Sequence, residues 1–242
     1  IGPWIEARTR GPVAVGGDLV QIDALRLFDL GGNLGRATLD GDFWRLGTSM
    51  FLHGGLLHLT MNMLALHAGG RQIELVYGRS GMLAIYVVAG LLGALASAMR
   101  GLGVSIGASG AIFGLFGAFG GFLLRHRGKL APGAAEAALR NIGMVIAINL
   151  MITFSVKGID MAAHLGGLVG GFATGWALES LPRTWSMARR ALVIGSLGAA
   201  LLSGATFVVP AGGPAAPAVV EGLDRAEAAE AWRATGSVRL EG

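Results

Sequence analysis

The chain has 242 residues, of which 53% are hydrophobic and 14% charged, against roughly 25% charged in soluble domains. Glycine fills 42 positions and cysteine none, and 19 Lys and Arg against 15 Asp and Glu leave a net charge of +4. This excludes a disordered chain, a coiled coil, a disulfide scaffold and a thiolate metal site, and the charge excess is too thin for a nucleic-acid-binding surface.

In chain order, residues 1–45 scatter Glu6, Arg8, Arg10, Asp18, Asp23, Arg26, Asp29, Arg36, Asp40 and Asp42 so densely that neither a membrane span nor a signal peptide fits. Beyond Arg45 the charges withdraw from whole blocks. Residues 46–70, 81–99, 101–124, 141–156, 161–178 and 191–209 contain no Asp, Glu, Lys or Arg. A helix needs about 20 apolar residues to cross the hydrocarbon core, and only helices are plausible where the backbone must satisfy itself. The expectation is an all-α, polytopic membrane helical bundle with about six transmembrane helices, the fourth block being short enough to need its flanks.

Alternate loops differ in charge. One set holds nine cations, Arg71, Arg79, Arg125, Arg127, Lys129, Arg140, Arg183, Arg189 and Arg190; the other holds two, Arg100 and Lys157. The first set is expected on the cytoplasmic side, which places residues 1–45 and the tail after Pro210 outside. That tail is Ala-, Gly- and Pro-rich, then charged from Glu221 to Arg233, and reads as flexible or weakly helical. The chain starts with Ile, and an exported N-terminal region without a preceding signal leads us to expect a segment upstream.

Polar groups inside spans are costly and each needs a reason. They are His53, His58, Asn62 and His67 in the first block, Ser105 and Ser109 in the third, Asn149 in the fourth and His164 in the fifth. His58 and Asn62, four apart, share a helix face and could serve one site or act as interhelical glue. Ser109 lies between Gly107-Ala108 and Gly110, a setting that suits either an exposed serine on a tight turn or helix packing through Gly110 and Gly114. Gly167, Gly171 and Gly175 form a smooth strip beyond His164. A helix with that strip could lie almost backbone to backbone against the glycine face beginning at Ser109, bringing the imidazole to the hydroxyl. A serine with a histidine at hydrogen-bond distance is the minimum for an activated nucleophile. Asp160, one turn before His164, reads as a loop residue at the interface rather than as an orienting acid.

Taken together, His53-x4-His58-x3-Asn62, Gly107-Ala108-Ser109-Gly110 and Ala163-His164-x2-Gly167-x3-Gly171 resemble the rhomboid family of intramembrane serine proteases. Trp44-Arg45, Glu74 and Tyr77-Gly78 fit the same pattern, and the likeness covers about residues 24–180. It implies a rhomboid-like fold and a Ser–His dyad with no required acid: Ser109 as nucleophile and His164 as general base. It also implies an oxyanion hole from the Ser109 N–H, His58 and Asn62, with Gly107, Ala108, Gly110, Phe113 and His53 in support. The implied substrates are transmembrane segments of membrane proteins cut within the lipid bilayer, and no cofactor or metal is implied. The family begins with a further span that this sequence lacks; the first five blocks here match its second to sixth, and 191–209 is an addition. The chain thus divides into an outer region (1–45), a catalytic core of five spans (46–180), a cytoplasmic loop with an extra helix (181–209) and a tail (210–242).

The leading expectation is an intramembrane serine endopeptidase, and its high Ala, Gly and Arg content points to a bacterial cell (inner) membrane. The alternative is a catalytically inactive rhomboid-like protein that binds membrane clients, although such proteins usually lack the Ser or the His. A small transporter would call for acidic residues within the spans and an internal repeat, and neither is present. A metal site of His53, His58 and His164 would lack a completing carboxylate or thiolate.

Overall fold

The computed structural model describes residues 24–101, 103–155 and 159–208. Most of the expected outer region (1–23) and the tail fall outside the described residues. Three short helices, α1 (Ala24–Asp29), α2 (Gly35–Leu39) and α3 (Arg45–Thr48), lead through a 3-10 turn (Ser49–Phe51) to five long ones: α4 (Leu56–Arg100), α5 (Ser109–His126), α6 (Ala134–Ser155), α7 (Met161–Ser180) and α8 (Met187–Val208). A two-residue ladder pairs β1 (Asn33–Leu34) antiparallel with β2 (Val104–Ser105). The architecture is an all-α helical bundle.

Helix α4 accounts for two of the charge-free blocks. Gly78, at φ 65° and ψ 174°, interrupts it. A Cβ on Gly70 would sit 3.0 Å from the Met82 methyl, although twelve residues of straight helix would separate the two by about 18 Å. The arms 56–77 and 79–100 therefore fold back on each other about Gly78. That backbone region is essentially reserved for glycine, while nothing lies within 4 Å of the position. Gly78→Ala is expected to cost about 1–3 kcal/mol from backbone strain alone, read as a lowered thermal midpoint in detergent.

Two helices start well after their charge-free blocks open. The first block opens at residue 46, yet α4 starts at Leu56, because α3, the 3-10 turn and an extended Gly55 (φ 166°) come first. His53 therefore sits in the loop before α4 and not on a span. The third block opens at 101, yet α5 starts at Ser109. Gly101, Gly103 and Gly107 all adopt positive φ and turn the chain between the helices, and Ser105 belongs to β2. An absence of charge marks apolar loops as well as helices. The short fourth block recruits its flank, and α6 begins at Ala134, taking in Glu136 and Arg140.

Many large apolar side chains face outward, although Ile73, Tyr77, Ile85, Leu115 and Leu178 form a buried cluster. Leu75 is 82% exposed and Phe154 86%, and Leu64, Leu83, Met144, Met151 and Val169 are also exposed. Helices α4 and α6 are long and apolar enough to cross a membrane. Between the helices lie glycines. A Cβ on Gly167 would land on the Gly110 carbonyl, one on Gly171 on the Gly114 carbonyl, and one on Gly175 against the Ala118 Cβ. The opposite face of α7 meets the second arm of α4 through Gly166 on Ala96 and Gly170 on Leu92. Lipid offers apolar side chains no reason to hide, so association relies on such close backbone contact.

The motif residues outside the site hold this frame. Arg45, buried, pairs with Asp42 at 2.8 Å, donates to the carbonyls of Phe28 and Gly32, and lies under the rings of Phe28 and Trp44. Asn33 Nδ2 ties this outer layer to α4 by donating to the Ala94 carbonyl at 2.7 Å. Tyr77, just before the reversal, donates to the Ala118 carbonyl at 3.3 Å. Glu74 meets Arg79 at 3.1 Å on the surface.

Candidate active site

Ser109 is the first residue of α5, and the N–H groups of a helix's first turn have no acceptor within the helix. His164 stands in the first turn of α7. Asp160 caps that helix: its Oδ1 accepts from the N–H groups of Ala162 at 2.9 Å and Ala163 at 3.1 Å. The two helix starts lie side by side, and His164 Nε2 is 2.7 Å from Ser109 Oγ. Ser109 is half-buried and His164 buried. The glycine rows described above bring these two side chains together.

Phe113, one turn beyond Ser109, stacks flat on the imidazole, with ring centroids 4.4 Å apart and planes at 10°. Gly110 lets the Ala163 backbone approach, its would-be Cβ lying 3.1 Å from that carbonyl, and Ala108 is buried beneath the turn. Gly107 is required twice over. Its φ is +115°, its N–H donates to the Ser49 carbonyl at 2.9 Å, and a Cβ there would sit 2.8 Å from His58 Nε2.

His58 therefore faces the serine turn from the first turn of α4. The Gly54 N–H donates to its Nδ1 at 3.4 Å, which leaves the ring proton on Nε2, the atom beside Gly107. Asn62 is buried one turn deeper, and its Nδ2 donates to the His58 carbonyl at 2.9 Å, leaving the second N–H of the amide over. His53, in the preceding loop, meets the edge of the His58 ring at 5.0 Å between centroids. Its Nε2 is buried with no protein partner among the described residues, and burial lowers its pKa. His67 and Asn149 are exposed, and the Asn149 side chain donates to the Val145 carbonyl on its own helix at 2.8 Å.

Sequence reasoning missed Thr153. This α6 residue is buried, and its Oγ1 lies 2.9 Å from His164 Nδ1, on the side of the ring opposite Ser109. The only signal was a hydroxyl within a charge-free block, and a threonine that satisfies itself on its own helix raises no alarm.

Against known families, a model described as the rhomboid domain matches residues 40–180, more than half of the chain. The chain belongs to the rhomboid family. All the site residues lie inside the rhomboid match, and α8 lies beyond it. Among similar curated proteins, Rhomboid protease GluP of Bacillus subtilis is 41% identical over 63% of this chain and 29% of its own length. RHOMBOID-like protein 5 of Arabidopsis thaliana is 37% identical over 61% of this chain and 48% of its own. Putative rhomboid protease YdcA of Bacillus subtilis is 35% identical over 59% of this chain and 69% of its own. The chain thus spans less than half the length of the first two rhomboid relatives. Family and apolar helices together make it a membrane protein.

Proposed function

We propose that the chain is an intramembrane serine endopeptidase that cuts transmembrane segments of membrane proteins with a Ser109–His164 dyad. The single observation that carries this is the 2.7 Å contact between Ser109 Oγ and His164 Nε2 within a rhomboid domain. In the proposed reaction Ser109 Oγ attacks the scissile carbonyl while His164 Nε2 takes its proton. The developing oxyanion is met by the Ser109 N–H, the His58 Nε2–H and the spare Asn62 N–H. His164 then hands its proton to the departing amine, and a water activated the same way releases the acyl group and restores the serine. No cofactor enters.

The core of this activity is 46–180, with the outer region before it and residues 181–242 accessory. The cation-rich end of the bundle, where Arg79, Arg125, Arg189 and Arg190 gather, faces the cytoplasm and the dyad lies toward the outer face. The membrane is the bacterial cell membrane.

The test is to return the purified chain to lipid vesicles with a single-span model substrate and, separately, to treat it with a fluorophosphonate. Cleavage, with the probe found on the Ser109 peptide by mass spectrometry, is the expected result. Binding of the substrate with neither cleavage nor labelling would replace the proposal with the client-binding alternative.

The stacked ring gives a graded prediction. An aromatic pair adds about 0.5–1.5 kcal/mol beyond area, so Phe113→Leu is expected to slow cleavage about two- to tenfold, with KM unchanged in steady-state assays.

A further inference from the structure

We propose that Thr153 is a positioning residue that fixes the tautomer of His164; this rests on the dyad proposed above. Thr153 Oγ1 touches two acceptor-capable groups, the Asn149 carbonyl at 2.8 Å and His164 Nδ1 at 2.9 Å. A hydroxyl carries one hydrogen, and the carbonyl can only accept. If the hydrogen pointed at Nδ1, two oxygen lone pairs would face each other at 2.8 Å. The hydroxyl therefore donates to Asn149, and its free lone pair accepts from Nδ1–H. That leaves Nε2 bare and aimed at the Ser109 hydroxyl, so one unbranched relay runs from Ser109 through His164 and Thr153 to the Asn149 carbonyl.

The burial pattern of α6 points the same way. Met144, Val145, Ile148, Met151, Ile152 and Phe154 are all exposed, and the buried residues of this helix are Ala135 and Thr153. Toward its C-terminal end, α6 is held inward at the one residue that touches the imidazole. The relay is complete only while that helix is seated, so the state of the base is coupled to the position of α6. Asp160 lies close by, but its Oδ1 caps α7 and its Oδ2 is buried with no hydrogen-bond partner among the described residues, so it is the Thr153 hydroxyl that meets the ring nitrogen.

The test compares Thr153→Val, which keeps shape and loses the hydroxyl, with Thr153→Ser, which does the reverse. In vesicles with the single-span substrate, Thr153→Val is expected to lower kcat about tenfold at unchanged KM, the effect of orphaning one buried donor. Thr153→Ser should recover most of that rate. Nitrogen-15 NMR of histidine-labelled wild-type chain, with His164 assigned through His164→Gln, should show the neutral ring protonated on Nδ1. Three results would overturn the proposal: full kcat in Thr153→Val, equal loss in both variants, or a wild-type proton on Nε2. The wild-type spectrum decides even if the valine variant fails to fold. Ser109→Ala separates the two levels. Cleavage by it would remove the dyad itself, whereas an inactive Ser109→Ala beside a fully active Thr153→Val would remove only the role of Thr153.

Discussion

Ser109→Ala is expected to abolish fluorophosphonate labelling and to cut substrate cleavage on the order of 10⁴-fold or more, while the protein stays folded. The alanine fits the start of α5 without strain, because Ser109 Oγ makes one side-chain contact there, to His164, and no cap bond. His164→Ala should lose about as much, since a hydroxyl with no acceptor at 2.7 Å is a weak nucleophile. Residues that act as one unit give non-additive losses, so the double variant should be no slower than either single one. Cleavage rates over a range of enzyme concentrations, with labelling in parallel, check all three. A double variant slower by the product of the two single losses would mean that the two groups work independently.

The second large effect is expected far from the reacting atoms. Gly171 lies about two turns beyond His164, with its α-carbon against the Gly114 backbone, so a side chain there has nowhere to go. Overpacking typically costs 1–3 kcal/mol when neighbours can yield, but a backbone carbonyl yields only by moving the helix. Gly171→Leu should therefore separate α5 from α7 and stretch the Ser109–His164 contact. A misplacement of about 1 Å can cost 10²-fold, and cleavage should fall by about that factor or more. Gly143→Ala, on α6 with nothing within 4 Å, is the matched control. It should leave cleavage intact and stabilise its helix by up to about 1 kcal/mol. Thermal denaturation alongside the vesicle assay distinguishes the two substitutions.

The sequence carried the helices and the approach of Ser109 to His164 through different signals. The blocks cleared of charge correspond to helical segments because lipid tolerates few charges whatever the fold. The pairing of Ser109 with His164 was readable because the strip Gly167, Gly171, Gly175 needs a partner equally free of side chains, and Gly110 and Gly114 provide one. Helix starts were less readable. His53 sits in the loop that ends at the extended Gly55 and Ser105 in the short β2, whose flanking Gly101, Gly103 and Gly107 turn the chain through positive φ, which composition does not reveal. The turn between the first two blocks is a single residue, Gly78, where the spread from Arg71 to Arg79 suggested a short loop. Thr153 was hidden because its hydroxyl already has a partner on its own helix, so nothing in the sequence marked it as unsatisfied.

The contact between α5 and α7 repeats at a constant offset: Gly110 with Gly167, Gly114 with Gly171, Ala118 with Gly175. Two helices meshed this way behave like a ratchet with teeth one turn apart. Sliding by a fraction of a turn drives α-carbons into carbonyls, and the next seat lies about 6 Å away. Ser109 and His164 are thus either in reach of each other or well out of it. Partial loss of the proposed cleavage under stress, whether from thinner bilayers or from loosening substitutions, is then expected to measure the fraction of molecules in the engaged notch rather than a lengthened hydrogen bond in all of them.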